Sequence, residues 1–243
     1  SQQIDQGEYK ITIKNSQNTA LHLVDSSGIV ENSIFSDNIC GISVDSSNGV
    51  ANTNYGGCYG IHTTGQILSS TDLRIKNNQF VRNQLIGIET RSGTAPIIDG
   101  NIFTDNGYPI KIESSYPVIT NSQLANSTTS PNILGGIAIS GYTHFSQNYT
   151  LKKGLPYILE SNGPDLAPYV DSGATLTIES GTILKTNNVN SALFINGNLI
   201  SNGTLAEPVI FTSLKDNADA RDGDWGNIKF NAGSVGNLTD TNF

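Results

Sequence analysis

The chain has 243 residues with 25 glycines, only 14% charged residues and a net charge of −8. That charge, with a pI near 4.7, opposes phosphate backbones and anionic lipid surfaces, which excludes nucleic acid as an expected partner. No run of about 18 apolar residues and no basic-then-apolar amino terminus occurs, so the sequence reads as having neither a membrane-spanning helix nor a retained signal peptide. Starting at Ser1 and lacking Met, it reads as a processed product or a segment of something longer.

Asn, Ser, Thr and Gly supply most of the polarity, a mixture that favours strands and turns over helices. In the first half a phrase recurs: an apolar alternation, a small polar corner, a second apolar pair, Asn, then an aromatic. It runs from Leu21 to Phe35 and returns from Ile42 to Asn52. The apolar residue two before each Asn falls at Val30, Val50, Ile75, Ile98 and Ile119, at intervals of 20, 25, 23 and 21. Short strands at such a period predict an all-β solenoid, whose coils bury their apolar faces only by stacking on one another.

Equivalent residues of a parallel stack sit roughly 4.8 Å apart and form ladders. Asn32, Asn52, Asn77 and Asn121, interrupted by Gly100, are expected to form a ladder of inward-turned amides that bond the corner backbone. Phe35, Tyr55, Phe80, Phe103 and Leu124 are expected to fill the interior beneath it. Cys40 and Cys58 lie 18 apart, without the clustering of a zinc or redox motif. A disulfide between neighbouring coils is the expectation, provided the register allows the geometry.

Regular coils of about 20–25 residues are thus predicted over 1–148. Residues 149–172, with Lys152, Lys153, Pro156, Pro164 and Pro168, read as an excursion or transition. A second coil type is predicted over 173–243, continuous with the first. There the 17 residues from Leu176 to Leu193 imply shorter, tighter coils, and alternation resumes at Pro208–Ser213 and Asp224–Phe230.

The runs Gly173–Leu184 (GATLTIESGTIL), Gly203-Thr204, Pro208–Ser213 (PVIFTS) and Gly223–Ile228 (GDWGNI) resemble right-handed β-helix repeats of large bacterial and archaeal surface proteins. The amino-terminal phrase resembles the general β-helix repeats shared with pectate lyases. The two resemblances cover nearly the whole chain and imply a right-handed parallel β-helix. In such surface proteins the strands of the second type usually come before coils of the first, an order reversed here. The end at Gly236–Phe243 reads as an unfinished coil, and no capping helix is evident at either terminus, so end-to-end association with itself or with adjacent repeats is expected.

Asp25, Asp45, Thr64, Glu89 and Glu113 are expected in one strand column, four carboxylates that would repel unless solvent or a cation screened them. The pectate-lyase resemblance implies calcium in such an acidic cleft, with Arg91 or Lys111 as proton acceptor; a solvated acidic edge is the plain structural reading. His22 and His62 are expected in the adjacent column two coils apart, a loose acid-base pair for elimination or epimerisation of a uronate. Asp216, Asp219, Asp222 and Asp224 offer oxygen ligands for Ca2+ without EF-hand spacing, or simply an acidic turn. Trp225 reads as structural unless exposed for sugar stacking.

Four Asn-x-Ser/Thr sequons occur, at Asn126, Asn148, Asn202 and Asn237, and matter if the protein takes a glycosylating secretory route. No nucleophile elbow, phosphate loop or metal-spaced His/Cys cluster is present. The function read from the sequence is a non-catalytic structural or adhesive element, extracellular or at the cell surface, in a surface layer, fibre or adhesin. The competing class is a lyase or epimerase acting on an acidic polysaccharide.

Overall fold

The computed structural model describes residues 11–24, 26–45, 73–124, 135–161, 166–188, 190–217 and 225–243. They fall into two compact units, residues 1–111 with 115–135 and residues 112–114 with 136–243.

The first unit holds β1 (Ile11–Lys14), β2 (Thr19–Val24), β3 (Gly28–Glu31), β4 (Ser33–Ser36), β5 (Cys40–Asp45), β6 (Leu73–Lys76), β7 (Gln79–Val81) and β8 (Ile86–Arg91). It continues with β9 (Ile97–Asp99), β10 (Ile102–Thr104), β11 (Tyr108–Glu113), β12 (Val118–Thr120) and β13 (Gln123–Leu124); the last two residues of β11 group with the second unit. Three sheets result, in the orders β1-β4-β7-β10-β13, β2-β5-β8-β11 and β3-β6-β9-β12. The chain visits the three in rotation and always pairs in parallel, which defines a parallel β-helix.

Corners explain why the coil closes. Asn32, Asn77, Gly100 and Asn121 take left-handed backbone, with φ of 48°, 54°, 64° and 49°. Asn and Gly tolerate that region best, so Gly100 continues this ladder instead of breaking it. The inward amide therefore belongs to the following residue. Asn78 Nδ2 donates to the Val30 carbonyl (2.9 Å), its Oδ1 accepts the Ser33 N–H (3.0 Å), and Asn101 repeats both bonds one coil on. A second ladder, Asn38-Asn83-Asn106, follows the left-handed residues Asp37, Arg82 and Asp105 in the same way. Each amide satisfies backbone groups that the corner removes from the sheet.

Inside, Phe35, Phe80 and Phe103 stack at 5.2 and 5.1 Å between centroids, and Leu124 pairs with Phe103. Gly41 and Gly87 face this stack: a Cβ would lie 2.8 Å from the Phe80 ring and 2.9 Å from the Phe103 ring. Val30 pairs with Ile75, which pairs with Ile98, which pairs with Ile119. No rung stands between Val30 and Ile75 or between Phe35 and Phe80, which corrects the coil expected there. Val50, Asn52 and Tyr55 lie outside the described residues. Cys40 is fully buried and disulfide-bonded, while Cys58 lies outside the described residues.

The second unit holds β14 (Ile137–Ile139), β15 (His144–Phe145), β16 (Tyr149–Leu151), β17 (Tyr157–Leu159), β18 (Tyr169–Val170), β19 (Thr175–Ile178), β20 (Ile183–Thr186) and β21 (Ala192–Ile195). Next come β22 (Asn198–Asn202), β23 (Val209–Ser213), a 3₁₀ turn at Leu214–Asn217, β24 (Asn227–Phe230), β25 (Val235–Thr239) and β26 (Thr241–Asn242). Its sheets run β14-β17-β20-β23-β26, β15-β18-β21-β24 and β16-β19-β22-β25. Within 149–172 the chain forms β16, β17 and β18, with Pro156 and Pro168 immediately before the last two. Proline before a strand withholds no N–H from the ladder that follows.

Leu176 and Leu193 sit in different sheets, so their spacing is not a coil. Leu176 pairs with Leu199, 23 residues on, and Leu184 with Phe211, 27 residues on, so these coils are no shorter than the first unit's. Corners here are four-residue turns closed at Asp171–Ala174, Glu179–Thr182 and Asn231–Ser234, with Gly173, Gly181 and Gly233 third at φ 86°, 71° and 85°. A positive φ at that position is the requirement of a type II turn.

Candidate functional site

The register gathers three polar residues into one column: His22 pairs with Ser43, and Ser43 with Glu89. They project from β2, β5 and β8 on the side opposite Ile42 and Ile88, which fill the interior. Arg91, two residues along β8, places Nε 3.9 Å from Glu89 Oε1. Ser43 and Glu89 are each 1% exposed, and Ser43 Oγ has no hydrogen-bond partner.

The acidic column expected from the sequence is divided. Asp45 pairs through its backbone with Val24, whereas Glu89 lies opposite Ser43, two residues earlier in β5. Glu113 accepts the Ser140 hydroxyl at 3.1 Å in the second unit. Lys111 of the first unit holds its ammonium 5.5 Å from the Tyr108 ring centroid. Asp25, Thr64 and His62 lie outside the described residues, as do Asp219, Asp222 and Asp224; Asp216 falls in the 3₁₀ turn. Among the described residues no three His, Cys, Asp or Glu side chains converge as a metal site.

Chemically, a serine nucleophile needs its base within about 3 Å, and Ser43 Oγ makes no hydrogen bond to His22 or Glu89. A polysaccharide also needs an open groove, and Glu89 is withdrawn from solvent.

Other charged groups are engaged between rungs. Arg82 donates twice to Asp37, at 2.7 and 2.9 Å, and holds the Asp37 carboxyl below the usual carboxylate range. Hydrogen bonds from Thr120 and Asn121 do the same for Asp99, and Lys153 does so for Glu207. Lys76 meets Glu31 at 3.2 Å, Lys152 meets Glu179 at 3.6 Å, and His144 Nδ1 meets Asp171 at 2.9 Å. These pairs run along the stack, binding coil to coil.

One ladder was not anticipated: His144, Tyr169 and Phe194 stack at 5.1 and 4.8 Å, and Lys229 caps Phe194 at 5.4 Å. Aligning the coils at Phe145, Val170, Ile195 and Phe230 would have revealed it. Ring faces inside this ladder are covered by other rings, which removes them as platforms for a sugar. Trp225 packs against Phe211 and Phe243, at 5.7 and 6.2 Å.

The last coil of the second unit differs from those before it. Ile195 is 0% exposed, but Phe230, its partner on the next rung, is 41% exposed. Phe211 is 1% exposed, and Phe243, stacked on it, is 70% exposed. β24, β25 and β26 each end their sheet among the described strands.

A family model of the right-handed β-helix region matches residues 8–153, more than half of the chain, and one of the pectate-lyase-like β-helix domain matches residues 143–241. The chain belongs to the right-handed β-helix family. No curated protein and no solved structure matches it. No helix among the described residues is long and apolar enough to cross a membrane.

Proposed function

We propose that this chain is a non-catalytic structural or adhesive β-helix segment, extracellular or at the cell surface, that associates end to end. The last coil of the second unit carries the reading. Phe230, Leu238 and Phe243 have interior character but stand exposed, beside three strand edges with open hydrogen-bonding groups. Burying a phenylalanine side chain fully is worth about 1.5–3 kcal/mol, and a parallel strand laid on each edge would satisfy its backbone. The occupant is a further β-helix coil, either an adjacent repeat of a longer chain or the first coil of a second copy, where Ile11 and Ile29 are likewise exposed and a 270 Å³ recess opens among Ile13, Leu21, Val30 and Phe35. Joining unlike ends is a heterologous contact, which grows into an open filament when it does not close on itself. The burial of Glu89 and the coil-to-coil pairing of charges support a role without catalysis.

Electron microscopy and sedimentation over a concentration series, with calcium and after chelation, test the proposal. Filaments that disappear in the Phe230→Asp, Phe243→Asp double variant are the expected result. Their calcium sensitivity would implicate the acidic sequence Asp216–Asp224. Isolated particles throughout, together with unsaturated products released from an acidic polysaccharide, would replace this reading with the lyase alternative.

A further inference from the structure

We propose that Asn148, Asn202 and Asn237 carry N-linked glycans and make the outer face of the β16-β19-β22-β25 sheet a glycan-bearing surface. Two groups of asparagines stand in contrast here. Asn38, Asn78, Asn83, Asn101 and Asn106 are buried, with each Nδ2 donating to a backbone carbonyl, and none begins an Asn-x-Ser/Thr triplet. Asn148, Asn202 and Asn237 each begin such a triplet, are exposed, and leave Nδ2 without a hydrogen bond. Asn148 is held through its other atom, since Oδ1 accepts the Thr175 N–H at 2.9 Å. A substituent on Nδ2 of the first class would break a corner; on the second class it displaces only water.

The sheet also orients the triplets. In a strand, residues i and i+2 share a face, so Asn237 and Thr239 of β25 project outward together, as do Asn148 and the Thr150 that follows it in β16. Asn237 pairs with Ile200 and Thr239 with Asn202, placing Asn202 and Asn237 on adjacent strands roughly 8 Å apart, with Asn148 at the far edge of the sheet. The Thr204 hydroxyl is exposed and accepts the Glu207 N–H at 3.0 Å. The donor is a lipid-linked oligosaccharide pyrophosphate. Nδ2 attacks the anomeric carbon, the bond from that carbon to the pyrophosphate oxygen breaks, the lipid pyrophosphate leaves, and Nδ2 gives up one proton.

The test is secretion of the whole chain from a eukaryotic host that N-glycosylates, followed by glycopeptide mass spectrometry and thermal unfolding. Expected are glycans at all three positions in most secreted molecules. Each of Asn148→Gln, Asn202→Gln and Asn237→Gln, and each of Thr150→Val, Thr204→Val and Thr239→Val, should remove one glycan. Enzymatic release of the glycans from the folded protein should leave the unfolding midpoint within a degree or two. Folded, secreted protein with these asparagines bare would overturn the proposal. So would a midpoint that rises by many degrees on release, because the glycans would then be straining the face instead of decorating it. Neither readout depends on filament formation.

Discussion

The two units close the same three-sheet coil by different chemistry. In the first, a single left-handed residue turns the corners after β3 and β4 and their equivalents, and a buried amide then replaces the backbone bonds lost there, while a closed turn appears only after β8, at Arg91–Thr94, among the described residues. In the second, a glycine-centred turn bonds itself through its first carbonyl and fourth N–H, and small hydroxyls such as Ser191, Ser201 and Ser213 occupy buried places beside the strands. An amide ladder ties each such corner to the coils on either side through buried side chains, whereas a closed turn makes one bond within itself and meets the next coil through backbone, as Gly181 N–H does at the Glu207 carbonyl (3.0 Å). Side-chain damage at a corner should therefore spread further along the stack in the first unit than in the second.

The largest expected effect is at Phe80, flanked by rings on both sides. Phe80→Ala should cost about 3–5 kcal/mol, and hydrogen exchange should show lost protection throughout the first unit. Asn83→Ala removes a shared rung and leaves the Phe35 carbonyl and the Asn106 amide short of a partner. A cost of about 1–3 kcal/mol is expected by chemical denaturation, against about 1 kcal/mol for Ser201→Ala, which loses one hydroxyl contact to Thr241. Equal costs would erase the contrast between the units.

Corner backbones give a milder test. Gly181→Ala puts a Cβ on a left-handed turn residue at φ 71° and should cost about 1–2 kcal/mol. Asn77→Gly, exposed and already left-handed, should change stability by no more than about 0.5 kcal/mol.

Alkaline pH should separate the units as well. Burial pushes the phenols of Tyr149 and Tyr157 in the second unit above their ordinary value. A raised folded pKa gives stability that is complete below about pH 10 and is lost as pH rises beyond it. The phenolate absorbance of these two tyrosines should therefore appear only as the second unit unfolds, and Tyr149→Phe with Tyr157→Phe should remove both that step and the alkaline loss. On the acid side the carboxyls of Asp37 and Asp99 in the first unit and of Glu207 in the second are all depressed. Their contribution is present above about pH 4 and is lost as pH falls through the depressed values. Melting curves between pH 7 and 3 should show a small loss, because the Asp37–Arg82 pair is exposed and pairs of that kind are worth about 1 kcal/mol or less.

Much of this was legible in the sequence because ladders repeat residue types. Phe35, Phe80 and Phe103 recur at the same slot after an apolar pair, and the structure stacks them. What failed was register. At Asn77-Asn78 both residues look alike in sequence, yet one takes the left-handed backbone and the other the buried amide, a division set by φ. The acidic column failed for a related reason, since Glu89 lies two residues before the end of β8 while Asp45 ends β5. Side chains displaced by two still share a face, so alternation cannot reveal the offset. The exposed interior residues of the last coil have ordinary core composition, and only the pairing identifies them as uncovered.

The direct pairing of Val30 with Ile75 has a further meaning for how such a chain changes over time. Forty-five residues separate these two partners, whereas the next two rungs are 23 and 21 apart, and the ladder is no less regular for the difference. Closing a loop twice as long costs only about 0.6 kcal/mol more. A ladder of this kind therefore accepts partners of very unequal separation in sequence, so that residues can be gained or lost between two rungs while each rung keeps its partner.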